Sequence, residues 1–263
     1  MNKLMIAAAA TLCAAVGYSD ITSANIVGYQ AADAVYGYSA RGASFINVAG
    51  GDMDIQSIIP IAPDGESLDR AFQICLMDDG GSTSDTFVYF IANPGKGRDV
   101  DGWYDERGKE WVDYSFKEGE AFFYYSDFDP EDVGGGKIQT SGEVDLKEIS
   151  VNATAYGYQA RCNPRAVEVD IQSILPIAPE GSSADRAFQI CEMDDGGSTT
   201  DTYVWFVANP GKGRDVDGWY DERGKELITR KFGAGEGFFF YTDFDPENGE
   251  PSALYFPDVT LSK

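Results

Sequence analysis

The chain predicts an all-β protein of two tandem β-sandwich or small-barrel modules, with at most short helical turns. Residues 92–110 recur letter for letter at 208–226, and a duplication of that kind sets the fold reading before any local signal does. Residues 54–130 match 170–246 at 58 of 77 positions, which extends the repeat over most of each half. Short apolar runs alternate with clusters of Asp, Gly, Ser and Pro at roughly 8 to 12 residue intervals, the rhythm of small sandwiches and barrels.

Met1-Asn2-Lys3, the uncharged run 4–16 and the small residues Gly17 and Ser19 read as a secretory signal peptide over residues 1–19. The mature chain then starts at Asp20, or at Asn25 if cleavage follows Ala24. The apolar run is shorter than the roughly 20 residues needed to cross a bilayer. Cys13 follows Leu12 rather than the small residue a lipobox needs. The expectation is a secreted protein, extracellular or periplasmic, with no membrane insertion.

Module 1 is assigned to residues 20–147 and module 2 to 148–263, each long enough to bury its own core. In module 1 a first strand is expected at 25–30 and a second from Val35. Segment 36–41 returns at 156–161, an offset of 120, whereas the offset is 116 from Asp54 onward, so the first copy has four extra residues between Arg41 and Asp54. Asp54 reads as the N-cap of one helical turn that Pro60 ends. Strands follow at 70–77 and 86–91, then at 102–105, 110–116, 121–126 and 137–144. Leu76 is replaced by Glu192 while Cys75 and Met77 recur, so the Cys75 face of that strand is expected to be the buried one. An up-and-down meander would gather loop 78–85, the Glu106 turn and loop 126–132 at one end. Lys96, Arg98, Asp99, Asp101 and Glu120 would then share the other end. Ten of the nineteen differences between the copies fall in 111–126 and none in 92–110.

The formal charge is −24, with both halves acidic, which disfavours nucleic acid and anionic membrane as partners and leaves cations and neutral polymers. There is no histidine. That removes imidazole acid/base work, Ser-His-Asp and Cys-His catalysis, and the usual catalytic zinc sites. A carboxylate-dependent glycosidase is the enzymatic alternative left, but no catalytic residue is assigned.

Two candidate sites and one candidate cross-link remain. Asp78, Asp79 and Asp85, with Asp194, Asp195 and Asp201 in the second copy, are candidate calcium ligands, because calcium takes several oxygens from such loops; ordinary solvated turns are the other reading. Trp103, Tyr104, Trp219 and Tyr220 are candidate sugar-stacking rings, with core packing as the alternative. Cys162 and Cys191 are a candidate disulfide in an export setting, leaving Cys75 over; small buried side chains are the alternative.

Ser23-Ala24-Asn25-Ile26-Val27-Gly28-Tyr29, the run 58–65 from Ile58 to Gly65, Gly102-Trp103 and Gly119-Glu120-Ala121-Phe122-Phe123, with Gly235-Glu236-Gly237-Phe238-Phe239, resemble a group of uncharacterised secreted bacterial tandem β-repeat proteins. The resemblance implies location and architecture and no catalytic residue. The function expected is a non-catalytic binding or structural protein of the cell surface or extracellular space, with calcium as its candidate stabiliser. An extracellular polymer or cell-surface component is the expected partner, and a carbohydrate-binding module with aromatic platforms is the alternative.

Overall fold

The structure, a computed structural model, describes residues 27–34, 36–45, 52–77, 83–193 and 199–259. The signal-peptide assignment therefore lies outside the described residues. Ten strands form the first half: β1 (Val27–Asp33), β2 (Gly37–Gly42), β3 (Met53–Asp54), β4 (Ile59–Ile61), β5 (Phe72–Met77), β6 (Thr83–Phe90), β7 (Gly102–Asp105), β8 (Ser115–Phe116), β9 (Ala121–Ser126) and β10 (Lys137–Glu143). The second half repeats them as β11 (Ile149–Asn152), β12 (Gly157–Cys162), β13 (Val169–Asp170), β14 (Leu175–Ile177), β15 (Phe188–Met193), β16 (Thr199–Phe206), β17 (Gly218–Asp221), β18 (Lys231–Phe232), β19 (Gly237–Thr242) and β20 (Ala253–Phe256). The fold is all-β, built of several small antiparallel sheets, and its helical pieces are three-residue 3-10 turns. Each half has a five-stranded sheet, ordered β2-β9-β5-β6-β7 and β12-β19-β15-β16-β17, with a three-stranded and a two-stranded sheet.

Alternation along the strands sends Phe72, Ile74, Trp103, Phe122 and Tyr124 to one side of the first large sheet. There they pack on Ile55, Ile58, Phe116 and Ile138, all buried. Asp54 caps the turn that carries Ile55, accepting the Gln56 N–H at 2.9 Å. Pro60 lies inside β4 rather than ending the turn. It is tolerated there because β4 is an edge strand, paired only with β10, where a missing amide costs no ladder bond.

The strand order overturns the expected arrangement of loop ends. β9 pairs with β5, Phe72 opposite Ser126 and Cys75 opposite Phe123, because residues 110–120 turn back through β8 and its pairing with β3. Loop 126–132 therefore sits at the Phe90 end of the sheet, and Glu120 at the Met77 end.

The second face of each large sheet is buried in part as well, against the other half. Arg41 bridges Glu236, and Arg161 bridges Glu120. Gly42 N–H donates to the Gly235 carbonyl at 3.0 Å, and Cys162 N–H to the Gly119 carbonyl at 3.1 Å. These pairs are images of one another under the repeat, so the halves meet about a pseudo-two-fold axis. Cys75, Phe123, Ala160, Cys162, Cys191 and Phe239 form the buried cluster around it. Both faces of β5 are thus covered: Cys75 faces the partner half while Phe72 and Ile74 face the module core.

Gly42 and Cys162, the one asymmetric pair among the repeat's cysteine positions, face each other at this axis. A Cβ on Gly42 would lie 2.5 Å from Cys162 Cβ, closer still to its sulfur, and 2.6 Å from the Glu120 carbonyl oxygen. There is room for one side chain.

The Tyr124 hydroxyl is fully buried and has no hydrogen-bond partner among the described residues, and the second copy carries Phe240 at that position. An unpaired buried hydroxyl costs on the order of 1 to 3 kcal/mol. Tyr124→Phe is therefore expected to raise the urea midpoint, by about 1 kcal/mol of stability; a lower midpoint would show that the hydroxyl is satisfied.

Candidate functional site

The turns at 117–120 and 233–236 close through Glu120 N–H to the Lys117 carbonyl (2.9 Å) and Glu236 N–H to the Gly233 carbonyl (3.0 Å). Through Gly119 and Gly235 each turn reaches the opposite half. Beside the first turn a cleft of about 660 Å³ opens between the modules. Tyr114, Lys117, Glu118 and Glu120 line it from module 1, and Ser150, Asn152, Thr154 and Arg161 from module 2. Glu120 accepts the Tyr114 hydroxyl at 2.6 Å and the Lys117 N–H at 3.0 Å. Arg161 donates to Gln159 Oε1 at 2.6 Å, Thr154 Oγ1 at 2.9 Å and the Asn152 carbonyl at 3.3 Å. The walls thus carry hydrogen-bonding groups held in place by the fold, in the inter-domain position where ligand sites concentrate.

Burial, and secondarily Asp145, push the Glu118 carboxyl above its usual value, with Arg165 opposing. A carboxyl whose folded pKa is raised stabilises the fold while protonated, and that contribution is lost as pH rises from about 4.5 through the folded value. Glu118→Gln is therefore expected to raise the melting temperature at neutral pH and to give no gain below about pH 4.5. Equal melting of the two proteins at neutral pH would contradict the burial of this charge. Burial and the bond to Glu120 also raise the Tyr114 hydroxyl well above its usual value, so it stays a neutral donor.

The image of the cleft across the axis is smaller and divided: a cavity of about 20 Å³ lies beside Arg41 and Gly235, and a mainly apolar cleft of about 330 Å³ lies against Gln30, Glu168, Gly233 and Ala234. Between them Gln30 Nε2 donates to the Ala234 carbonyl at 2.9 Å. Lys117 and Glu118 are replaced there by Gly233 and Ala234. Three further positions have changed together. Leu76 and Tyr114 pack near Phe87 in module 1. Their counterparts Glu192, Arg230 and Tyr203 form a polar network in which Glu192 accepts the Tyr203 hydroxyl and Arg230 Nε, each at 2.5 Å, and Arg230 also pairs with Glu236. Burying Glu192 is tolerable because both donors come with it.

The sugar-stacking assignment is corrected. Trp103 and Trp219 are fully buried in the module cores, and Tyr104 and Tyr220 nearly so in small clusters with Phe90 and Phe206, so none has a ring face open to a ligand. The indole N–H groups donate to the Ile58 and Ile174 carbonyls at 2.7 Å. The tyrosine hydroxyls donate to the Val100 and Val216 carbonyls at 2.9 Å. Within 92–110 the buried Arg98 lies 4.3 Å over the Phe90 ring, and Arg214 lies over Phe206 in the second copy. A Cβ on Gly108, at φ +64°, would meet the Arg98 guanidinium at 2.6 Å, so only glycine serves.

The Cys162–Cys191 disulfide is corrected too: Cys75, Cys162 and Cys191 are free buried thiols. β19 runs between the strands of Cys162 and Cys191, which separates them by about two strand spacings, ~9.5 Å, beyond the roughly 7 Å Cα limit of a disulfide. Burial raises the Cys75 and Cys191 thiols, and the Cys162 thiol furthest. Asp78, Asp79, Asp194 and Asp195 lie outside the described residues. Asp85 and Asp201 are exposed on β6 and β16, and among the described residues no group of three or more Cys, Asp or Glu could hold a metal ion.

The cleft residues went unassigned in the sequence, although the signal was present. Tyr114, Lys117 and Glu118 fall in the 111–126 stretch where the copies diverge most. No protein-family model matches this chain, and no curated protein or solved structure is significantly similar to it.

Proposed function

We propose that this is an exported, non-catalytic binding protein whose inter-module cleft takes a small neutral or cationic ligand rich in hydroxyl or amine groups. One observation carries the reading: of two pseudo-equivalent positions about the axis, one is a polar cleft of about 660 Å³ and the other is a smaller, mainly apolar one of about 330 Å³ without the lysine and glutamate of the first. A difference between the two copies at these positions is what a site used once per chain would require. Glu120 supports binding over catalysis, because Tyr114 and the Lys117 amide already engage its carboxylate. The acidic chain favours neutral or cationic ligands.

A ligand that binds only the folded protein raises its melting temperature. The test is differential scanning fluorimetry of the full chain against neutral sugars, polyols and small amines, alongside Ser150→Trp. Ser150 is an exposed wall residue, so its replacement blocks the cleft without entering the core. The expected result is a shift in the parent chain that Ser150→Trp loses. Failure of every compound, or a shift that survives in the variant, refutes the reading.

A further inference from the structure

The strand register lines up a second set of side chains, on the part of each large sheet's second face that the other half leaves partly exposed. Tyr38 is opposite Tyr125, and Tyr125 opposite Gln73, across β2, β9 and β5. Module 2 repeats the row as Tyr158, Tyr241 and Gln189. The two rings of each row are 4.9 Å apart. Asp127 accepts the Tyr125 hydroxyl at 2.6 Å, and Asp243 the Tyr241 hydroxyl at 2.8 Å. A further tyrosine flanks each row, Tyr36 at 56% and Tyr156 at 58% exposure. Tyr38 packs partly against the inter-module cluster, and the other rings of the rows lie outside it.

We propose that each row is a subsite for a neutral polysaccharide, so that one chain carries two. A tyrosine face offers an apolar plate to the C–H face of a pyranose ring, while its hydroxyl, the Asp beside it and the Gln amide match the equatorial hydroxyls. Anionic polymers are disfavoured by the chain's charge of −24. Two rows on one chain make attachment to a long polymer bivalent, which strengthens binding without new contacts. This inference is independent of the cleft, since neither row lines it.

The test is affinity electrophoresis of the full chain through gels containing hydroxyethyl cellulose, laminarin, dextran or galactomannan. Retardation in at least one gel is expected. Tyr125→Ala or Tyr241→Ala alone should weaken it about three- to tenfold, the worth of one ring contact, and the pair should abolish it. Tyr36→Ala with Tyr156→Ala, at exposed positions that cannot unfold the sheet, should weaken it too. Tyr29→Ala, 69% exposed but off the row, should change nothing. Ser150→Trp should leave retardation intact, which separates this outcome from failure of the cleft. Absence of retardation in all four gels, or retardation unchanged in the Tyr36/Tyr156 double variant, overturns the proposal.

Discussion

Gly42→Ala is expected to destabilise the protein by about 1 to 3 kcal/mol, the cost of an extra methyl in a filled core. The added carbon would meet Cys162 Cβ at 2.5 Å and the Glu120 carbonyl oxygen at 2.6 Å. None of these can retreat: Cys162 is fully buried and Glu120 is bridged to Arg161. The same clash predicts its own cure. Cys162→Gly made together with Gly42→Ala should recover the share of the loss that comes from the Cys162 contact, because the two positions compete for one volume at the pseudo-two-fold axis, and leave the share that comes from the Glu120 carbonyl at 2.6 Å. Urea midpoints of the parent, Gly42→Ala, Cys162→Gly and the pair, with the coupling read as a double-mutant cycle, decide it. Additive losses would mean that the two positions do not compete for one space.

Arg165→Ala is expected to cost more, about 3 to 5 kcal/mol, the range for stripping the partner from a buried charged network. Arg165 is 1% exposed. Its guanidinium donates to the carbonyls of Asp145 (3.2 Å) and Lys147 in the connection between the modules, and to those of Phe256 (2.8 Å) and Pro257 after the last strand. Removing it leaves four carbonyls without their donor and a cavity, and takes away the positive charge that offsets Glu118 and Asp145. Arg165→Lys should retain only part of the stability, since one ammonium cannot span two pairs of carbonyls as the planar fork does. A fall of less than 1 kcal/mol for Arg165→Ala, measured by urea unfolding, would show that the connection is held by other contacts.

The strands were legible wherever a local pattern forced them. Phe72, Ile74 and Leu76 alternate with Gln73, Cys75 and Met77, and Asp54 caps its turn as its position before Ile55 demands. The partner of β9 was not legible, because two short strands, β3 and β8, redirect the chain, and two-residue pairings leave no periodicity to read. Trp103 and Tyr104 were misassigned for a related reason. Adjacent residues on a strand point to opposite faces, and both are buried only because each face meets a different part of the molecule. The cleft fared similarly: the copies' divergence at Tyr114, Lys117 and Glu118 was visible, but not that these residues face Asn152 and Thr154.

Read alone, the residues determined the all-β class, the duplication and the acidic surface, since composition, alternation and repetition are properties of neighbours along the chain. Tertiary structure decided the rest: that Gly42 and Cys162 share one space, that the thiols stay free, that the larger and more polar cleft opens on one side of the axis, and that Tyr36 and Tyr156 reach solvent while Trp103 and Trp219 do not. Each of these depends on side chains that lie far apart in sequence and compete for the same volume or share the same desolvation. Only packing the two halves against each other brings them together.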